Sequence, residues 1–340
     1  MNRSFLLVVL TLVALSTVMV TPLAYACNFV TSTVEVGMYP FGIAVNENTN
    51  LIYVAISGSN TVSVISAATN TVVATIPVQV GICGVGIGVN TKTNLIYVTN
   101  ACNEVSGVIT PGSTVSVISG LNNTVVGSIT VGFDPSSLAV NQNTDMIYVT
   151  NPGSNTMSVI SGANNAVVAT ILLEDGPSAV AVDETTNMIY VTGQISNTLL
   201  VMSGANNSIL NTVAVGSIPF AVGVNAKTNM IYVANFGSNT VSVISSVINA
   251  VVATVLVGIA PAGIGVNERT NLIYVANAGS DTVSVISGSN NHVVATVPVG
   301  QNPVGIIVVN ERTSMIYVAN LFSNTVSVLS EHGVRCQQPK

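Results

Sequence analysis

Apolar and polar residues alternate along this chain in short bursts. Pieces of six to eight residues rich in Val, Ile and Thr are each bounded by Asn, Gly, Ser or Pro. Such pieces are shorter than helices and end on turn residues, so they predict β-strands. The stretch from Pro261 to Gly300 shows the order: PAGIGVN, ERT, NLIYVAN, AGS, DTVSVIS, GSNN, HVVATVPVG. It predicts four antiparallel strands, here lettered a to d. In Thr282–Ser287 two valines face one way and Thr, Ser and Ile the other. A sheet of such strands has two partly apolar faces and cannot bury both alone.

The unit repeats. An Ile-Tyr-Val tripeptide places its tyrosine at Tyr53, Tyr97, Tyr148, Tyr190, Tyr232, Tyr274 and Tyr317. Thirteen residues earlier stands Pro40, Pro135, Pro177, Pro219 or Pro261, with Gly84 in the second unit and Pro303 one place further back in the last. Four strands in each of seven units is the arithmetic of an all-β, seven-bladed β-propeller. The last unit stops after strand c, Thr325–Ser330, whereas NFVTSTVEVG (Asn28–Gly37) matches the strand-d sequence NHVVATVPVG (Asn291–Gly300). The N-terminal strand is therefore predicted to complete the seventh blade and close the ring.

Composition narrows the classes. Only 6% of the 340 residues are charged and 49% are hydrophobic, the reverse of a disordered chain. Seven Lys and Arg against thirteen Asp and Glu disfavour nucleic acid, single-stranded forms included, as a partner. Residues 1–26 carry Arg3, an apolar Phe5–Leu15 and Ala24-Tyr25-Ala26, the layout of a signal peptide. After it no apolar run reaches the roughly 20 residues of a membrane span. The expectation is a single domain, 27–340, secreted, on the cell surface or periplasmic. Four cysteines in such a setting predict two disulfides. Cys27–Cys336 would replace the missing c–d turn of blade 7, and Cys83–Cys102 would pin the long b–c loop of blade 2, Ala101–Gly112. A rival reading lipidates Cys27.

The second and third tyrosines open literal YVTN motifs, Tyr97–Asn100 and Tyr148–Asn151, and the last three open YVAN, at Tyr232–Asn235, Tyr274–Asn277 and Tyr317–Asn320. With the SNTVSVIS pattern that follows, the units resemble the YVTN family of β-propeller repeats. The resemblance implies a propeller at or outside the cell surface, similar to archaeal surface-layer-associated and bacterial secreted proteins, and implies no one reaction. Ile56 and Gly193 depart from it where the Asn should stand. That Asn has two readings, a ring of amides on one face or a local cap of turns.

Charge follows the loops. The d–a and b–c loops make one face, the top, and the a–b and c–d turns the other, the bottom. The top carries acids only, Glu104, Asp134, Glu174, Asp175 and Asp281, which are the candidate binding residues. They attract a basic partner, hold Ca²⁺ if they converge, or simply solubilise. The bottom mixes Lys92, Lys227, Arg269 and Arg312 with Glu47, Glu184, Glu268, Glu311 and Glu331. The innermost strands are Gly, Ala, Val and Ile with a few Ser, and their one ionisable residue is Asp183 at the bottom end. That wall reads as packing rather than acid–base chemistry. Ser136, Ser137 and Ser178 lie near the top without a histidine in reach, since His292 and His332 belong to the bottom, so no catalytic residue and no metal ligand is assigned. The expected function is non-enzymatic binding or scaffolding, through the top loops, of an envelope component or protein partner. The alternative is a lactonase-like or lyase-like propeller enzyme with a metal at the channel mouth.

Overall fold

The computed structural model describes residues 29–78, 86–105, 108–173 and 176–331, and of residues 103–105 and 108–109 the backbone alone. Twenty-eight strands form seven four-stranded sheets, each antiparallel and each in chain order except the last. Blade 5 is typical, with Pro219–Asn225, Met230–Asn235, Thr240–Ser245 and Ala250–Leu256 as strands a to d. In the seventh sheet Val30–Glu35 pairs antiparallel with Thr325–Ser330, Val34 opposite Val326. The fold is a seven-bladed β-propeller, and closure by the N-terminal strand is consistent with this sheet. The expected leader, Cys27 and Cys336 lie outside the described residues. Among those described, no helix is long and apolar enough to cross a membrane.

The Ile-Tyr-Val repeat explains how blades stack. Successive side chains of a strand point to opposite faces, so each blade sends its Tyr one way and its Ile and Val the other. Tyr232 packs with Ile273 and Val275 of the next blade, and Tyr274 packs with Ile316 and Val318. Tyr317 packs with Ile52 and Val54 of blade 1, so the closing interface is built like the others. All seven tyrosines are buried. Both faces of strand c are buried too: in Thr240–Ser245 every residue is.

Outer strands are nearly uncharged and expose valines such as Val73 and Val126. Unpaired edges of that kind invite pairing with another chain. All seven blades carry a β-bulge at the same point of the c–d pair, as at Val243/Ile244 and Val285/Ile286, and in the closing blade between Val30 and Ser32 opposite Leu329 and Val328. A bulge twists the edge away from a partner, and here it stands in for the charges this chain lacks.

One expectation is corrected. The long b–c segment of blade 2 is a β-hairpin arm rather than a loop. Leu95–Val105 and Val108–Ser119 stay paired to Val105 opposite Val108, with a bulge between Asn100 and Cys102. The β-branched run Val105, Val108, Ile109, Thr110 favours strand. Cys102 is buried and disulfide-bonded, and Cys83 lies outside the described residues.

Candidate functional site: the top face and the channel mouth

The asparagine of the motif is local architecture. Asn100, Asn151, Asn235, Asn277 and Asn320 are buried. Each donates from Nδ2 to a Thr and a Ser on strand c, as Asn235 does to Thr240 and Ser242 Oγ at 3.0 Å each. Against four of these asparagines presses the glycine that ends strand d of the preceding blade. A Cβ on Gly216, Gly258 or Gly300 would stand 2.6 Å from the Asn amide carbon, so no larger residue fits. No ring of amides reaches solvent.

The threonine beside it ties strand b to strand a. In blades 2 to 4 a buried Thr hydroxyl near the top end of strand b accepts a backbone N–H of strand a. Thr99 Oγ1 accepts from Gly86 N at 2.7 Å, Thr150 Oγ1 from Ser137 N at 3.2 Å and Thr192 Oγ1 from Ala179 N at 2.9 Å. In blades 5 and 6 Ala takes that place and pairs in the ladder, Ala234 opposite Ala221 and Ala276 opposite Gly263, as Thr150 does opposite Ser137 in blade 3.

Small residues on seven inner strands leave space. A cavity of about 560 Å³ opens at the channel, lined from all seven blades and largely apolar: Phe41, Gly86, Leu138, Val180, Phe220, Ile264 and Ile306 each contribute. Its polar groups gather on blades 3 and 4: Asp134, Ser136, Ser137, Ser178 and Gln194. Ser136 Oγ donates to Ser178 O at 3.1 Å, and Ser137 Oγ accepts from Val180 N at 3.4 Å, so both hydroxyls tie blade 3 to blade 4. The inner wall therefore does more than pack.

Around the mouth the top loops expose eight large apolar side chains: Met38, Tyr39, Phe133, Ile195, Ile218, Phe236, Ile259 and Phe322. Ile195 is 77% exposed and Phe322 59%. On the bottom turns three are exposed, Leu121, Val247 and Ile248, all on peripheral c–d turns. Three top residues also hold left-handed backbone that such side chains resist, Tyr39 (φ 58°), Ile218 (φ 52°) and Ala260 (φ 54°). At the bottom nearly all of these positions are Asn or Asp, which adopt it readily.

The sequence-predicted acids divide. Glu174 and Asp175 lie outside the described residues, and Glu104 is placed by its backbone on the hairpin arm. Asp281 is exposed, and its Oδ1 accepts the backbone N–H of Asn302 at 2.8 Å. Asn197 and Asn239 make the same bond to Ile218 and Ala260, so Asp281 does for blade 6 what Asn does elsewhere. Asp134 lines the cavity; its backbone N donates to Gly112 O at the base of the arm, and burial pushes its carboxyl above the usual range. Asp134 and Asp281 sit on non-adjacent blades and are not brought together. Among the described residues no three His, Cys, Asp or Glu stand close enough to share a metal ion.

The bottom is built differently. The Asn that ends strand a accepts one or two N–H groups of its own turn and donates to the next blade. Asn46 takes Asn48 N and Thr49 N and reaches Asn94 Oδ1 at 2.8 Å. Asn90, Asn141, Asn225 and Asn310 repeat it. Asp183 keeps the turn bonds, accepting from Thr185 N at 2.9 Å. Next to this ring Glu47, Glu268 and Glu311 each accept a backbone N–H from the neighbouring blade. At blade 6 the acceptor is Glu331, 2% exposed, which takes bonds from Asn267 at 3.0 Å, Tyr274 at 3.2 Å and Thr270, and pairs with Arg269 at 3.3 Å.

No family model and no curated protein matches the chain. Among solved structures it is similar to a chain of Kuenenia stuttgartiensis hydrazine synthase, with a TM-score of 0.75, 19% identity, 86% of this chain covered and 95% of that one. At this identity the likeness shows the fold alone, and a propeller hosts many activities.

Proposed function

We propose that this protein is a non-enzymatic binding propeller, secreted or held at the cell surface, whose top face docks an envelope component. The observation that carries this reading is the apolar crown: eight exposed large side chains on one face, set around an open apolar channel mouth. Exposed apolar patches of this kind mark interaction sites on soluble proteins. Strained backbone on the same loops supports it, because strain concentrates at working surfaces. The leader-like N-terminus, the two disulfides Cys27–Cys336 and Cys83–Cys102, and the YVTN-like motifs belong to this proposal. So does a basic partner or Ca²⁺ at the top-face acids.

Co-sedimentation of the mature protein with purified host envelopes, with and without chelator, tests it. Saturable binding that the Ile195→Ser and Phe322→Ser double variant loses is the expected result. Loss on chelation would add a bridging cation. No binding in either condition removes the proposal.

A further inference from the structure

The cavity itself has a chemistry that the surface reading does not use. Its volume, about 560 Å³, falls in the range of small-molecule sites. Most of its wall is apolar, with the two phenylalanines Phe41 and Phe220 among the largest lining residues. Among the described residues of the lining Asp134 is the one that is ionisable, and none of them is Lys, Arg or His. Nothing among the described residues donates a hydrogen bond to its carboxylate. Ser178 Oγ and the Gln194 carboxamide, on the adjoining blade, likewise make no hydrogen bond among those residues. Three polar groups on one side of an apolar chamber thus await a partner, and one of them is an anion.

We propose that the channel mouth binds a small organic cation: an ammonium or guanidinium head toward Asp134, and an apolar body in the chamber. Burial raises the cost of the lone carboxylate, and an opposite charge brought against it offsets that cost. A charge-assisted hydrogen bond to the carboxylate fixes the head. Ser178 and Gln194 offer further oxygen acceptors for its remaining N–H groups. Folding alone does not require an acid here. The matching left-handed positions of other blades are Tyr39, Gly176, Ile218, Ala260 and Asn302, and of these only Asn302 has a polar side chain able to ease that backbone. Asn would serve Asp134's backbone as well as Asp does, which is what the test exploits.

The test is calorimetric titration of the intact protein at pH 7 with three probes of one shape, 4-phenylbutylamine, 4-phenylbutanol and 4-phenylbutanoate. The amine is expected to bind about tenfold tighter than the alcohol, and the carboxylate to give no heat. Asp134→Asn is expected to bring the amine down to the alcohol and leave the alcohol unchanged. Equal affinity for amine and alcohol, a preference for the carboxylate, no binding of any probe, or an amine unaffected by Asp134→Asn would each overturn the proposal. Envelope co-sedimentation is read separately, so either inference can fail alone.

Discussion

The two faces of this propeller are made from the same repeat and do opposite things. At the bottom, the Asn that ends strand a spans to the next blade in five of the seven junctions, and Glu331 accepts in a sixth. At the top, the turns expose Ile and Phe where a turn asks for Gly, Asn or Ser, and hold Tyr39 and Ile218 in backbone those residues resist. The bottom spends its polar groups on itself. The top leaves apolar surface exposed, and at the cavity a half-buried carboxylate, Asp134, that no described residue bonds. In a ring whose cores are alike from blade to blade, that difference is the ground on which the top is proposed as the binding face.

The contrast can be attacked from the bottom first. The tyrosine hydroxyls reach toward the bottom turns: Tyr97 donates to Asn165 at 2.8 Å and Tyr274 to Glu331. Burial pushes Tyr97, Tyr190, Tyr232 and Tyr317 up to about 12. Above pH 10 the unfolded chain ionises its tyrosines while the folded one keeps its protons, so stability falls as pH rises toward 12. Each tyrosine adds a slope of up to about 1.4 kcal/mol per pH unit. Urea midpoints taken between pH 8 and 11.5 should drop steeply after 10; a flat profile would mean that the hydroxyls are open to water.

Glu331→Ala strands several donors at the blade 6–7 junction and is expected to cost about 3–5 kcal/mol, read by urea unfolding. A loss below about 1 kcal/mol would show that the junction rests on apolar packing alone. Tyr274→Phe removes a hydroxyl bonded to that carboxylate, a loss of about 1.5–3 kcal/mol. Tyr232→Phe removes a buried hydroxyl that has no partner among the described residues, and is expected to be neutral or mildly stabilising. Equal effects would erase the distinction between the Glu331 junction and its regular neighbours.

At the top the expected changes are small or of opposite sign. Ile218→Gly relieves left-handed strain at a residue 43% exposed, and should raise stability by up to about 1 kcal/mol. A loss instead would mean that Ile218's contact with Gly237 matters more than its backbone.

Fold was legible because each physical requirement left a mark at a fixed interval. The tyrosines that fill blade interfaces, the prolines that open strand a and the strand-d likeness of Asn28–Gly37 all announce the ring. The site was less legible, since its parts are not motifs. Gly86, Ser178 and Ala262 read as packing until seven strands face one another across an axis, and only then does their small size become a volume. The Thr of YVT differs from the Ala of YVA by a hydroxyl whose use, accepting a backbone N–H of strand a, is visible only in space. A signal for the crown was present: Ile195, Phe236 and Phe322 stand in b–c turns that are rich in Gly, Ser and Asn. Asp281 shows the converse, an acid that counted as a rim charge in sequence and serves as a turn brace in space.

The most direct test of the account sets the two faces against each other in one assay. Ile195→Ser with Phe322→Ser on the top, and Leu121→Ser with Val247→Ser on the bottom, each remove two exposed apolar side chains and should leave stability within about 0.5 kcal/mol. Envelope co-sedimentation of both against the parent should show binding lost in the top pair and kept in the bottom pair. Loss in the bottom pair with retention in the top pair, or equal binding by all three, would contradict the assignment of the top as the working face.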